Sequence, residues 1–397
     1  MAAQPPSRLA RRLGLTDAVV VGLGAMLGTG VFVVFAPAAE LAGAALLVSL
    51  LLAAGVAYCN AMSSAQLAAL HPQAGGTYVY GRERLGPAWG AAAGYAFLAG
   101  KTASGGAAAI AVGVYAVPGN TTLQRLVAAC AVATATALNW WGVTRTVGVT
   151  RVLVALLMVV VGGVVVLGLT GTTAPETTGT FWPTDGALGV LSAAALLFFA
   201  FAGYARIATL GEEVRDPAVT IPRAIPLALG IVLAIYTAVA ATALVVLGPD
   251  RLAESAAPLV DVVTVAGYPD LSVIVRLAGA LAAYAVLLGL IAGVSRTAFA
   301  MAANRNVPAF FATVSERRKV PGRAVIAVGV VVFCIALSGG LVGAVAVSAF
   351  TILLYYAITN AAALRLAASE RRVPRIIPVL GLTACCLLAF SLLWQAI

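Results

Sequence analysis

Apolar runs long enough to cross a lipid bilayer follow one another from Ala18 to the end of the chain, separated only by short polar breaks. Few folds remain open to such a chain. In hydrocarbon every backbone N–H and C=O must find its partner inside the protein, so an apolar run of this kind crosses as a helix. About 20 largely apolar residues suffice for one crossing. Spans are expected at residues 17–39, 41–69, 87–117, 123–141, 150–170, 187–211, 224–248, 270–302, 324–338, 342–367 and 376–396, about eleven in all. The chain therefore reads as an all-α integral membrane protein with no soluble domain left over. Only 10% of its 397 residues are charged, where a soluble domain has roughly 25%.

The net charge of +10 would suit nucleic acid, but the basic residues form no surface stripe; they fall in the short breaks, where they report topology. With the N-terminus in the cytoplasm, 19 of the 24 Lys and Arg lie on the cytoplasmic side. Arg125, Arg251 and Arg276 fall at the outer ends, and Lys101 and Arg206 lie within spans. An odd number of spans then puts the C-terminus outside. The first apolar run is too long for a signal-peptide core and has no clear cleavage site after it, so it is expected to be retained. Cys59, Cys130, Cys334, Cys385 and Cys386 sit inside apolar runs without metal-ligand spacing and read as small packing residues. No His, Cys and acid constellation suggests catalysis, and neither a cofactor nor a metal is expected. His71 opens a cytoplasmic loop and reads as structural.

Two spans are unlike ordinary helices. The first carries Gly22, Gly24, Gly28 and Gly30 around Met26 and Thr29, and the sixth, five spans later, carries Phe198-Phe199-Ala200-Phe201-Ala202-Gly203-Tyr204. Transporters built from inverted repeats interrupt corresponding helices near the midplane, which frees backbone amides and carbonyls to bind substrate. Unpaired N–H groups at the start of a half-helix suit an anionic group, and unpaired carbonyls suit a cationic one.

The stretch Gly24-Ala25-Met26-Leu27-Gly28-Thr29-Gly30-Val31-Phe32 resembles the first-helix signature of the amino acid, polyamine and organocation superfamily. Three further stretches agree with it. Phe198–Tyr204 through Glu212 to Ile225 resembles that family's sixth helix and following loop, Pro72–Tyr80 the loop after helix two, and Ser295 to Pro308 the end of helix eight. The resemblance implies a five-plus-five inverted-repeat, leucine-transporter-like fold with helices one and six broken. Residues 1–15 would form a cytoplasmic N-terminus, 16–171 the first repeat, 186–368 the second, and 375–397 an accessory eleventh helix. It further implies a secondary active permease of the cytoplasmic membrane that moves amino acids by alternating access, proton-coupled or sodium-independent. An exchanger or a polyamine or organocation carrier is the alternative, and a non-transporting membrane sensor is the alternative of another class. By resemblance, the carboxylate role falls to Gly28, Thr29 and Gly30, and the ammonium role to the carbonyls of Met26, Phe199 and Ala202. Phe199 would also cover the substrate. Ala103, Ser104, Tyr284 and Thr351 are expected to line the side-chain pocket by depth. No acidic residue stands at midplane, which favours a neutral or small substrate.

Many proton-linked or sodium-independent relatives carry a helix-five lysine where a sodium ion would sit; the aligned position here is near Leu157. Lys101, in the middle of the third span, is either a replacement for that charge that could exchange a proton or a fixed lysine bonded to carbonyls of a broken helix. The neighbouring glycines do not make a nucleotide loop, because Gly94 and Gly100 enclose five residues and the stretch is helical. Arg206 is expected either to pair with Glu212, Glu213 or Asp17 in a cytoplasmic gate or to touch substrate.

Overall fold

A computed structural model describes residues 13–71, 75–142, 147–171, 186–208, 210, 213–315, 318 and 320–395, and among them every regular element is helical. The first crossing is made of α1 (Leu15–Met26), α2 (Thr29–Val33) and α3 (Phe35–Ala42). Val34 between the last two keeps right-handed helical angles, and the Val34 N–H reaches the Gly30 carbonyl at 3.2 Å while Ala38 N–H reaches Val34 at 3.1 Å. The second half of the span is thus one helix from Thr29 to Ala42. It stops at Gly43, whose φ of +54° suits a residue without a Cβ. A three-ten turn, Gly43–Ala45, then leads into α4 (Leu46–Leu70). The boundary expected near residue 40 therefore lies three residues later, where glycine rather than hydropathy sets it.

The chain continues through α5 (Thr77–Leu85), α6 (Pro87–Ala116), α7 (Thr121–Trp141), α8 (Val147–Thr170), α9 (Gly186–Phe201) and α10 (Ala205–Ala208). Then come α11 (Pro217–Glu254), α12 (Pro258–Val265), α13 (Ser272–Ala303), α14 (Gly322–Ser338), α15 (Leu341–Leu364) and α16 (Ile376–Gln395). Among the described residues, ten helical stretches are long and apolar enough to cross a bilayer. The ninth expected span, α14, has 17 residues, at the short end of the roughly 17–25 that a crossing takes. Local chemistry starts and stops these helices. Asn120 caps α7 by accepting the Leu123 N–H at 3.0 Å, and Pro87 and Pro217 occupy first-turn positions where no N–H is needed.

Two short helices were not expected. The stretch read as a loop at Pro72–Tyr80 turns at Gly76 (φ +55°) into α5, which ends at Gly86 (φ +109°); residues 72–74 lie outside the described set. The polar break after the seventh span holds α12, which packs on α8 and α13.

Helix α6 packs along α13 and α15, while α4 lies between α11, α9 and α16. The first and sixth crossings meet in this packing: α1 lies against α10 and the turn before it, and α2 against α9. Ahead of α1, Leu13 N–H bonds to the Glu213 carbonyl at 3.1 Å and Arg215 N–H to the Leu13 carbonyl at 2.9 Å. This short parallel bridge ties the chain entering the first crossing to the chain leaving the sixth.

Candidate functional site

The helix opens at Leu27–Gly28. α1 ends at Met26, and Gly28 adopts φ −68° and ψ −112°, outside both helical and extended regions, before α2 begins at Thr29. The sixth crossing changes less. Its α-helix tightens into a three-ten turn at Ala202–Tyr204 and resumes at Ala205, so fewer backbone groups are released there than at the first crossing.

The two irregular stretches touch through their backbones. A Cβ on Gly30 would stand 2.8 Å from the Ala200 Cα, and one on Gly203 would stand 2.6 Å from the Ala25 carbonyl carbon and oxygen. Only glycine allows that approach. A Cβ on Gly28 would meet Val286 of α13 at 2.1 Å, so that valine covers the opening from the eighth crossing. Met26, Thr29, Gly30 and Ala202 are buried, and the Thr29 hydroxyl has no hydrogen-bond partner among the described residues.

Successive aromatics of α9 go separate ways. Phe198 packs edge-on against Tyr356 of α15, with centroids 5.7 Å apart, and Phe201 against Tyr236 of α11 at 5.1 Å. Phe199 is left partly buried. Tyr236 was not foreseen. Its hydroxyl donates to the Met26 carbonyl at 2.6 Å, with the Ala200 carbonyl at 3.3 Å, so one phenol spans both irregular stretches. A buried tyrosine in an apolar run needs a partner for its hydroxyl, and that was the available signal. Val286, a valine among valines and leucines, carried none.

Residues 17–397 match the family described as amino acid permease. The chain belongs to the amino acid permease family. The permease is 52% identical to an uncharacterized transporter of Mycobacterium tuberculosis, over 98% of this chain and 87% of that protein. It is 29% identical to the branched-chain amino acid permease BcaP of Bacillus subtilis, over 79% of this chain and 71% of the relative. With the cationic amino acid transporter 4 of Mus musculus it shares 28% identity, over 83% of this chain and 55% of the relative. The permease is thus a multi-pass membrane transporter and not an enzyme.

Other expected positions fall elsewhere in the permease. Ser104 is buried but bonds to Ser348 at 2.6 Å and to the Gly100 carbonyl at 3.0 Å, in the seam between α6 and α15. Thr351 lies in the same seam beside Gly100, and Ala103 is buried next to Ser104. The Tyr284 hydroxyl turns to Thr134 of α7 at 3.1 Å, so the eighth-crossing side chain over the opening is Val286. Lys101 shares a face of α6 with Gly94 and Gly105, seven and four residues away, and these glycines face Met301, Leu287 and Val332. That turns Lys101 toward α13 and α14. Leu157 is buried in α8, and α8 packs on α1.

Asp17 is engaged by Arg151 of α8 and accepts the Gly14 N–H at 3.1 Å. Of the three acids expected as partners for Arg206, Asp17 is thus held by Arg151. Arg206 lies close enough to Glu213 and Arg296 to feel both charges, and Glu212 falls outside the described residues. His71 accepts a bond from Arg84 Nε at 3.1 Å, and Arg84 grips Glu370 through two bonds of 2.9 Å. Among the described residues no group of three or more His, Cys, Asp or Glu could hold a metal.

Proposed function

We propose that the chain carries a small or medium neutral amino acid across the cytoplasmic membrane by alternating access, with its N-terminus inside and its C-terminus outside. The observation that carries this is the opening at Leu27–Gly28 set directly against the turn at Ala202–Tyr204. The half-helix beginning at Thr29 offers N–H groups and the positive end of its dipole to a carboxylate. Gly28, Thr29 and Gly30 take that role, and the carbonyls of Met26, Phe199 and Ala202 take the ammonium. Phe199, the α9 aromatic left partly buried, covers the ligand.

Neutral substrate follows from charge. None of the residues from Gly24 to Phe32 or from Phe198 to Tyr204 is acidic, and Asp17 is held by Arg151. A cationic side chain in this apolar setting would lack a partner. The relatives named above include both a branched-chain and a cationic amino acid carrier, so the assignment separates this chain from the second. With the two stretches in backbone contact and Val286 over Gly28, binding requires them to part, as rocking of helices one, two, six and seven against three, four, eight and nine would do.

Uptake of labelled amino acids into proteoliposomes, with and without internal amino acid, tests the reading. Saturable uptake of Leu, Val or Ala without exchange is expected. Transport confined to Arg, Lys or polyamines would overturn the neutral assignment, and uptake that needs internal amino acid would make the protein an exchanger. For coupling, we propose that Lys101 supplies the charge that a helix-five lysine supplies in relatives. Lys101→Met is then expected to lose the dependence of uptake on a pH gradient; an unchanged pH profile would remove that role.

A further inference from the structure

Three of the buried side-chain polar atoms without a partner among the described residues gather where α4, the sixth crossing, α15 and α16 meet. They are the Asn60 Nδ2 and the hydroxyls of Tyr204 and Tyr356, on residues no more than 1% exposed. Around them runs a closed set of bonds. Asn360 Nδ2 donates to Asn60 Oδ1 at 2.6 Å, Ser63 Oγ donates to Asn360 Oδ1 at 2.7 Å, and Cys385 Sγ donates to Asn60 Oδ1 at 3.3 Å. Cys385 is also near enough to both phenols to act on them electrostatically, and the two phenols, whose rings lie 5.2 Å apart and tilted 30°, are within reach of each other as well.

We infer that this cluster is a binding site for ordered water. The chemistry selects it. Asn60 Oδ1 already accepts two bonds, and Asn360 Nδ2 spends its N–H groups on Asn60 Oδ1 and the Tyr356 carbonyl at 3.0 Å, which leaves Asn60 Nδ2 as the amide donor; each phenol can donate or accept. A water needs two to four polar partners of mixed character, and this set supplies them. A cation would face the amide N–H groups with no carboxylate to balance it, and an anion would find no basic group among Asn60, Ser63, Tyr204, Tyr356, Asn360 and Cys385.

The place of the site gives it a use. Tyr204 closes the three-ten turn of the sixth crossing, whereas Asn60, Asn360 and Cys385 belong to three helices that pack on one another. A bridging water binds nearly as well as a direct contact and can change partners as groups move. The turn can then shift against α4, α15 and α16 while its phenol stays bonded. The accessory helix α16 thereby has a polar connection to the sixth crossing through Cys385.

Hydroxyl-radical footprinting by synchrotron X-rays tests this in the full-length protein in nanodiscs, because radicals formed from a bound water modify the buried side chains that touch it. The protein holds its own controls. Tyr115 and Tyr236 are equally buried, but their hydroxyls are taken by the carbonyls of Phe32 and Met26 at 2.8 and 2.6 Å. Tyr204 and Tyr356 are expected to be modified several-fold faster than Tyr115 and Tyr236, and Tyr356→Phe to slow the modification of Tyr204. Equal rates for all four tyrosines in the unmodified protein would overturn the site, and that comparison needs neither a variant nor any transport activity.

Discussion

Gly30 and Gly203 make the sharpest claims at the scale of single residues. Each brings two backbones together where a methyl group would stand under 3 Å from main-chain atoms, and main chain inside a helix cannot step aside as a side-chain tip can. Overpacking of this kind costs about 1–3 kcal/mol. Gly30→Ala and Gly203→Ala are expected to lower the melting temperature and to abolish uptake in proteoliposomes, whereas Gly55→Ala, which meets nothing within 4 Å, should leave both near wild type. Similar uptake by all three would show that the close approach is unimportant. Tyr236→Phe removes the donor that serves the Met26 carbonyl and should cost about 1–3 kcal/mol, the usual cost of leaving a buried polar group unsatisfied. Of these residues, Gly28 and Gly30 were legible in the sequence because a cluster of glycines in a spanning helix is itself a signal. The partner of Gly28, Val286, was not, because a valine in an apolar helix looks the same whether it faces lipid, a neighbour or a binding site.

Among the elements, α5 and the segment between α15 and α16 form a latch through Arg84, Glu370 and His71. The bond from Arg84 holds the Glu370 carboxyl below its ordinary range. Burial, with the Arg84 charge second, holds His71 below its ordinary value of 6.5. His71 must be neutral to accept from Arg84. Both folded values are depressed, so the unfolded chain binds protons more readily and stability falls as pH falls. The contribution of His71 is complete above pH 6.5 and is lost as pH drops through its folded value; that of Glu370 is lost at lower pH still. Thermal unfolding followed between pH 7.5 and 5 should show a decline that is smaller in His71→Gln. An identical decline in the variant would show that the latch does not titrate there. The element α5 escaped the sequence reading because its nine residues bury a face supplied by α6 and α15, and a helix stabilised by such partners has no apolar stripe of its own to announce it.

For the whole molecule, the proposed orientation places Arg84, Arg215, Arg372 and the start of α1 inside, and Asn120 and the end of α16 outside. Single cysteines at Asn120 and Gln395, introduced into a variant lacking the native five, are expected to react with a membrane-impermeant maleimide in intact cells, and a cysteine at Arg372 only after lysis. The reverse pattern would invert the topology and move the proposed substrate path with it. The all-helical membrane class, the approximate extent of the helices and the gathering of basic residues in the breaks were determined by the sequence alone. Hydrocarbon permits few ways to satisfy a backbone, and the cost of a charge there fixes where the breaks fall. The tertiary structure alone decided that the first crossing opens while the sixth only tightens. It also gave Asp17 to Arg151 and the Met26 carbonyl to the Tyr236 hydroxyl. Those outcomes depend on contacts between helices far apart in the chain, and when nearly every candidate face is apolar, hydropathy cannot rank them; close packing of particular shapes and the need to pair each buried polar atom do so instead.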